Sequence, residues 1–153
     1  MALLEDEFET LGVQWAPHKR RGPCRCIEFL GLMLCNFEGC RRVTISRSRL
    51  EKTRGALDSW LESMPLHGEL QVDPLELAKL LGRLVFVSQV VRGGRTYMQA
   101  MLRQFRGLEV DWSRGSVRHA HGAWRDMALD GGFWRDLVWW RSALQRANCT
   151  QMA

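Results

Sequence analysis

The sequence predicts a mixed α+β chain, mostly helical, with one β-hairpin near the N-terminus and a helical bundle after it. Three observations predict this class. A nearly continuous apolar run between Cys26 and Cys35 precedes a polar turn and a second apolar run, Val43 to Ile45, as in a strand and its return strand. Leucines then recur at helical spacing from Leu50 to Leu84. A last apolar stripe of helical period follows residues 131–132.

Length and composition fit a folded domain. The chain has 153 residues, of which 46% are hydrophobic and 25% charged, so it can bury a core without disulfide or metal cross-links. The N-terminus lacks a cationic start, and the longest apolar stretch is too short to span a bilayer. We therefore expect a soluble, intracellular protein without a membrane partner, whose five cysteines are reduced thiols.

The N-terminal elements follow from apolar spacing and turn residues. Residues 2–11 have apolar side chains at helical spacing and end at Gly12, which predicts a short amphipathic helix. Residues 17–23 are bounded by prolines and predict a loop. The apolar residues of 27–34 predict one continuous strand, which pairs across the turn with Val43 to Ile45.

Two long helices are predicted next. Ser46 or Ser48 can cap a helix that runs to about Ser63. Its predicted apolar face consists of Leu50, Leu57, Trp60, Leu61 and Met64. Asp73 followed by proline begins the second helix, whose leucines keep the helical register as far as Val91.

The C-terminal elements are separated by glycines. Gly93-Gly94 breaks the chain, and residues 96–105 predict a helix with Tyr97, Met101, Leu102 and Phe105 on one side. Residues 107–116 predict a connector that is extended around 108–110. The last predicted helix places Phe133, Leu137, Trp140 and Leu144 on one face.

Charge is arranged in blocks within a net charge of +5. Arginines far outnumber lysines, and basic blocks lie on both sides of the hairpin. Arg47, Arg49 and Lys52 fall in the first turns of a predicted helix, where the helix dipole disfavours cations by about 0.3–1 kcal/mol each. A bound phosphate backbone would explain them. In the alternative, these basic residues are solvated surface residues, and Glu51 and Asp58 partly offset their unfavourable interaction with the helix dipole.

Six segments, in order, resemble the reverse transcriptases of retrotransposons. Gly12 to Lys19 is similar to the family's lysine-bearing segment, with Ala16 where an Asn is usual. Phe29-Leu30-Gly31 matches the triplet that begins the primer-gripping hairpin, and Gly39 matches the glycine of its turn. Residues 47–61 and 77–84 resemble the helices of the thumb. Residues 90–102 and 136–140 look most like the connection region of tyrosine-recombinase (DIRS-like) elements, with Gypsy-like elements also similar.

The resemblance implies an organisation and a function. Residues 1–45 would be the end of the polymerase palm with its primer-grip-like hairpin, 46–106 thumb-like helices, and 107–153 a connection-like segment. The chain would grip an RNA or DNA template-primer. The nucleic-acid-binding residues would be Lys19, Phe29, Leu30, Gly31, Arg41, Arg42, Arg47, Arg49, Lys52 and Arg54, with Lys19 near the phosphates of the incoming nucleotide.

The resemblance also implies what this chain needs from elsewhere. The family's two magnesium ions are held by aspartates, including an Asp-Asp pair, and no such pair occurs here. We therefore expect an RNA-directed DNA polymerase fragment that is inactive as an isolated chain, with magnesium only in the complete polymerase. Its partners would be the missing palm and ribonuclease H portions of the polyprotein. Met1 would then fall inside the palm, as in a truncated gene copy.

Other motifs have weaker interpretations. Cys24, Cys26, Cys35 and Cys40 could supply four thiolates, but their spacing is atypical for zinc. His119 and His121 predict a surface or partly buried pair. Trp60 and Trp140 lie on apolar faces and predict core positions, whereas Trp15, Trp112 and Trp139 are expected to be more exposed.

Two further function classes stay open. A helical protein-interaction module without a nucleic-acid role would bind its partner through apolar helix faces. A sequence-specific DNA-binding domain would need a recognition helix with polar base-reading side chains, and none is convincing in this sequence.

Overall fold

The computed structural model of the chain describes residues 10–12, 22–37, 40–65, 70–146 and 150–152. Within them the fold is α+β, with a small antiparallel sheet followed by packed helices. The strands are β1 (Cys26–Phe29), β2 (Leu32–Phe37), β3 (Cys40–Ile45), β4 (Gln71–Val72), β5 (Leu108–Asp111), β6 (Ser116–His119), β7 (Met127–Ala128) and β8 (Thr150–Met152). The α-helices are α1 (Arg47–Glu62), α2 (Pro74–Val87), α3 (Gln99–Arg103) and α4 (Gly131–Arg146). Among these described elements, no helix is long and apolar enough to cross a bilayer.

The predicted hairpin is present, but the prediction of one continuous strand over 27–34 is wrong. A two-residue turn at Leu30-Gly31 divides the apolar run into β1 and β2, which pair antiparallel with Phe29 opposite Leu32. Periodicity alone hides this turn because apolar residues continue through it. The pairing of Val43–Ile45 across the second turn is confirmed, with Leu34 opposite Val43.

Strand β3 also pairs with β8, the last described strand, so the sheet order is β1-β2-β3-β8. Alternation along the strands places Ile27, Leu34 and Val43 on one face, together with Phe29 and Ile45. Ile45 packs against the helical core, whereas Phe29 is 59% exposed. This sheet face is therefore only partly covered by the residues that the structure describes.

The core is built by the helices. Side chains at helical spacing on α1, α2 and α4 are fully buried, among them Leu57, Leu77, Leu84, Leu137 and Trp140. Helix α4 packs against α1 and α3, and α1 also packs against α2. The helix starts at Ser46 and Asp73 are confirmed, and the Asp73 side chain accepts a hydrogen bond from the Leu75 N–H at 2.9 Å.

Some helix boundaries and faces differ from the prediction. Helix α2 ends at Val87 rather than Val91 because the next amides bond three residues back, Gln89 N–H to Phe86 O and Val90 N–H to Val87 O. Residues 96–105 divide into a 3-10 turn at Thr96–Met98 and the short α3. The predicted apolar positions Met64 and Leu102 are both exposed.

The predicted connector is partly a strand. Its extended part is confirmed as β5, but the sequence predicted neither the hairpin that β5 forms with β6 nor the β4-β7 pair.

The tryptophans lie largely where they were predicted. Trp140 is fully buried, while Trp60 is half-buried against the core. Of the tryptophans expected to be exposed, Trp112 is exposed and Trp139 is half-buried, stacked on Tyr97 at 3.9 Å between ring centroids. Trp15 and the predicted helix at 2–11, except its last two residues, lie outside the described residues.

Candidate nucleic-acid interface

The turn between β1 and β2 has an unusual backbone. Leu30 and Gly31 both have positive φ, 51° and 82°, as a two-residue type I′ hairpin turn requires. Glycine adopts this conformation freely, whereas a leucine there is strained by roughly 1–2 kcal/mol. Leu30 is nevertheless 72% exposed, so its side chain gains little from burial in the described structure. A strained and exposed residue of this kind is typical of a functional contact.

A backbone hydrogen bond fixes this turn to the start of α1. The Ser46 N–H donates to the Gly31 carbonyl oxygen at 2.9 Å. Ser46 is the N-cap residue of α1, but its side chain makes no capping hydrogen bond; its hydroxyl lies 3.4 Å from that of Ser48. No acidic residue occupies the first turn of α1. The positive end of this helix therefore has no acidic side chain in its own first turn to offset it.

Arg49 is held directly over the turn glycine. Its guanidinium lies 4.1 Å from the centroid of the Phe86 ring on α2, a cation–π contact that orients the side chain. A Cβ atom on Gly31 would approach the Arg49 Nε and would be closer than any normal contact. Glycine suits this position for two reasons, because its φ is positive and because a side chain here would displace Arg49.

These parts enclose an open pocket of about 550 Å³. Among the described residues, three cations line it, Arg49 and Lys52 on α1 and Arg83 on α2, and Glu28 is the one acid. The remaining walls are formed by Leu30, Gly31, Ser46, Ser48 and Thr53. The pocket combines cationic side chains with the amide end of a helix, which is a suitable environment for a phosphate group.

The structure brings together only part of the set predicted from the sequence. Leu30, Gly31, Arg49 and Lys52 meet at the pocket. Phe29 immediately precedes the turn and is exposed. Lys19 and the turn glycine Gly39 lie outside the described residues.

The remaining predicted arginines do not line the pocket. Arg47 is exposed and pairs with Glu51 at 2.9 Å. Arg41 and Arg42 are consecutive, exposed residues of β3 and therefore point to opposite faces of the sheet. Arg54 is half-buried and donates to the Leu144 carbonyl oxygen of α4, so it joins two helices instead of facing solvent.

Sequence reasoning missed Arg83 and Phe86. Both belong to α2, 34 and 37 positions after Arg49 in the chain, so only the packing of α2 on α1 places them at the turn. Arg83 lies on the polar side of an apolar helix, and nothing in its local sequence distinguishes it from a solvated surface arginine.

The cysteines of the hairpin are arranged differently from expectation. Cys26 and Cys35 are directly opposite on β1 and β2 and form a disulfide with a Cα–Cα distance of 4.2 Å. The expectation that all cysteines are reduced is therefore wrong for this pair, and Cys24 is free and exposed. In the described part of the chain no three His, Cys, Asp or Glu side chains are grouped to hold a metal ion.

His119 and His121 are both on the surface, as predicted. His119 lies 3.3 Å from the Gly107 carbonyl oxygen through Nδ1, and Arg125 Nη2 lies 3.1 Å from its Nε2. A neutral ring with the proton on Nδ1 satisfies both contacts. These contacts hold the loop after β6 against the β5-β6 hairpin.

No family model, curated protein or solved structure matches the chain.

Proposed function

We propose that the chain is the nucleic-acid-gripping portion of a retroelement reverse transcriptase and contacts the phosphates of a template-primer duplex at the pocket between the hairpin turn and α1. The observation that carries the proposal is the convergence of Arg49, Lys52 and Arg83 on the uncapped N-terminus of α1. Charged groups and backbone amides that converge in this way recognise phosphate without reading sequence.

The Phe29-Leu30-Gly31 turn supports the same proposal. It is the segment that resembles the primer grip, and its Leu30 and Gly31 form one wall of the cationic pocket. Its exposed Phe29 and Leu30 can pack against sugars or bases while the pocket holds the phosphate. The strain at Leu30 is then offset by contacts made in the complex.

The proposed chain binds but does not polymerise by itself. It has no Asp-Asp pair, and the two-metal chemistry of the family depends on such carboxylates. Magnesium and the catalytic aspartates would belong to the palm of a complete polymerase. The exposed apolar residues of the hairpin, Leu34 and Phe37 among them, are available to contact that palm.

The alternative function, a helical protein-interaction module, gains less support. It needs apolar helix faces that a partner can reach, whereas the apolar faces of α2 and α4 are buried in the core. Exposed apolar residues of the hairpin, such as Phe29, Leu30 and Phe37, lie within one short segment, whereas those on the helices are separate positions on α2, α3 and α4. A protein partner would therefore dock at the hairpin, which is also where the polymerase proposal requires one.

The test is binding of the full chain to a labelled RNA–DNA primer-template duplex, measured by fluorescence anisotropy over a range of salt concentrations. Replacing Arg49, Lys52 and Arg83 together by Gln removes up to three phosphate contacts. We expect weaker binding and a log–log salt slope that is smaller by up to about 2.7, or about 0.9 per contact.

Arg146→Gln is the matched control because Arg146 is exposed near the end of α4 and does not line the pocket. Its single charge change should leave the slope almost unaltered. If circular dichroism shows that the triple variant is folded and its salt slope for duplex binding is unchanged, the pocket is not the phosphate-binding site.

A further inference from the structure

The Cys26–Cys35 disulfide lies in the same hairpin as one wall of the cationic pocket. The two cysteines are directly opposite at one end of the β1-β2 pair, and the Leu30-Gly31 turn closes the other end. Leu30 and Gly31 line the pocket, as does Glu28, which lies between the disulfide and the turn. One covalent bond therefore joins the two strands whose turn forms that wall.

Few other contacts hold β1 in place. The strand has four residues, is the outermost strand of the described sheet and pairs there only with β2. Cys26 and Ile27 are half-buried, Glu28 and Phe29 are exposed, and none of the four belongs to the buried core. A four-residue ladder at the edge of a small sheet is only marginally stable. We therefore expect the disulfide to provide much of the attachment of β1.

The turn that the disulfide supports is strained. Leu30 has a positive φ of 51°, and a strained backbone persists only where the surrounding structure holds it. On the helix side, the Gly31 carbonyl oxygen accepts a hydrogen bond from the Ser46 N–H. On the strand side, the described restraints are the ladder to β2 and the disulfide. Breaking the disulfide therefore favours opening of β1, and the pocket then loses part of its wall while its cations stay on α1 and α2.

A small thiol can reach this disulfide. Cys26 and Cys35 are both half-buried, and the outer edge of β1 is unpaired within the described strands. Cys24, two residues before β1, is exposed, so the chain is open to solvent at this end of the hairpin. Disulfides that are accessible in this way exchange with thiols such as glutathione.

We propose that the Cys26–Cys35 disulfide is a redox switch for duplex binding at the pocket: the disulfide form binds tightly and the dithiol form binds weakly. A glutathione thiolate attacks one sulfur of the pair, and the other sulfur leaves as a thiolate. A second glutathione thiolate attacks the glutathione sulfur of the mixed disulfide. The products are two cysteine thiols, which take the protons of the two glutathiones, and one oxidised glutathione, which can reverse the reaction. The inference rests on the proposed function, because it regulates the same pocket.

The experiment measures duplex binding by the full chain in mixtures of reduced and oxidised glutathione, with fluorescence anisotropy as the readout. Alkylation followed by mass spectrometry of the same samples counts the free thiols at Cys26 and Cys35. We expect duplex affinity to fall about threefold or more as these thiols appear, because only the molecules with a closed hairpin bind tightly. Affinity should recover when oxidised glutathione restores the disulfide.

Two variants test whether the response belongs to this disulfide. Replacing Cys26 and Cys35 together by Ser should give the lower affinity at every glutathione ratio, and circular dichroism checks that this variant is folded. Cys24→Ser is the matched control, because it removes the neighbouring exposed thiol and leaves the disulfide in place. It should keep the full response to glutathione.

The Gln variant of Arg49, Lys52 and Arg83 tests whether the switch acts on the pocket. It should bind the duplex equally weakly in both redox states, because the pocket contacts are absent. Three results would overturn the inference: unchanged affinity of the unaltered chain while the thiols at Cys26 and Cys35 appear, a full glutathione response of the folded Ser variant, or a full response of the Gln variant. The first of these leaves the proposed function in place, whereas a lack of duplex binding in both redox states would overturn the proposed function and this inference together.

Discussion

Gly31 shows how one residue can serve the fold and the candidate site together. Its positive φ closes the β1-β2 turn, its carbonyl oxygen binds the Ser46 N–H, and its missing side chain leaves room for Arg49. In the sequence, a role for this glycine was predicted only through the resemblance to a primer grip, which stays a prediction. The contact with Arg49 was not predictable, because it depends on how the hairpin docks on α1.

Replacing Gly31 by Ala should affect stability and binding together. The left-handed backbone costs an L-residue roughly 1–2 kcal/mol, and the new methyl group would displace Arg49 from the Phe86 ring. We expect a lower free energy of unfolding in urea and weaker duplex binding.

Gly55→Ala is the control for this substitution. Gly55 lies inside α1, and nothing is within 4 Å of the position of its added Cβ. The change should therefore stabilise the protein by roughly 0.5–1 kcal/mol and leave duplex affinity unaltered. If the two alanine variants behave alike, the role given to Gly31 is wrong.

At the scale of elements, local signals predicted the helix starts far better than the strand pairings. Asp73-Pro74 and Ser46 mark the starts of α2 and α1 because N-cap chemistry acts over a few neighbouring residues. The β4-β7 pair joins Gln71 to Ala128 across more than fifty residues. Such a short pairing is set by packing of the whole chain, and neither strand has a periodic signal of its own.

The junction of α3 and α4 depends on a buried carboxylate. Asp136 is only 4% exposed, and its Oδ2 accepts a hydrogen bond from the Ala100 N–H at 3.3 Å. Burial raises the pKa of Asp136 despite that hydrogen bond. The folded state therefore binds the proton more tightly than the unfolded state, and this contribution to stability is lost as the pH rises through the folded pKa.

Asp136→Asn keeps an oxygen acceptor and removes the buried charge. We expect the variant to be more stable than the unaltered protein at neutral pH. The difference should shrink as the pH falls into the usual carboxyl range near about pH 4, because the natural side chain then takes up a proton. Urea unfolding at several pH values measures the difference.

Asp130→Asn provides a control of opposite sign. Burial opposes ionisation of Asp130, but hydrogen bonds from Phe133 N–H, the Gln104 side chain and Gly132 N–H prevail and lower its pKa. Its stabilisation is thus present above the unfolded pKa and lost as the pH falls. Asp130→Asn should destabilise at neutral pH by about 0.3–1 kcal/mol through loss of charge at the start of α4. If the two substitutions change the free energy of unfolding at neutral pH in the same direction, this explanation is wrong.

At the scale of the whole molecule, the described residues divide into a well-packed helical part and a lightly packed hairpin. Fully buried side chains such as Leu57, Leu84 and Trp140 belong to the helices, whereas β1 and β2 contribute only half-buried or exposed side chains. Helical periodicity predicted most of this core from the sequence.

This division predicts how the molecule opens. In native-state hydrogen exchange, amides of β1 and β2 should exchange by local opening at a free energy well below that of global unfolding. Amides of α1 around Leu57 and of α4 around Leu137 should exchange only through global unfolding. Equal protection in both parts would show that the hairpin is an integral part of the core. Repeating the measurement after reduction of the Cys26–Cys35 disulfide should lower protection in the hairpin alone.

The contrast between Gly31 and Gly55 has a consequence for the history of the gene. Every single-nucleotide missense change of a glycine codon introduces a side chain, which at Gly31 would have a strained backbone and would displace Arg49, whereas the surface of α1 has room for one at Gly55. If the proposed function is right, gene copies that are selected for nucleic-acid binding should therefore keep glycine at position 31 and vary at position 55. Copies that have become pseudogenes should lose the two glycines at the same rate. A comparison of substitutions at these two codons would therefore distinguish copies that still bind nucleic acid from copies that do not.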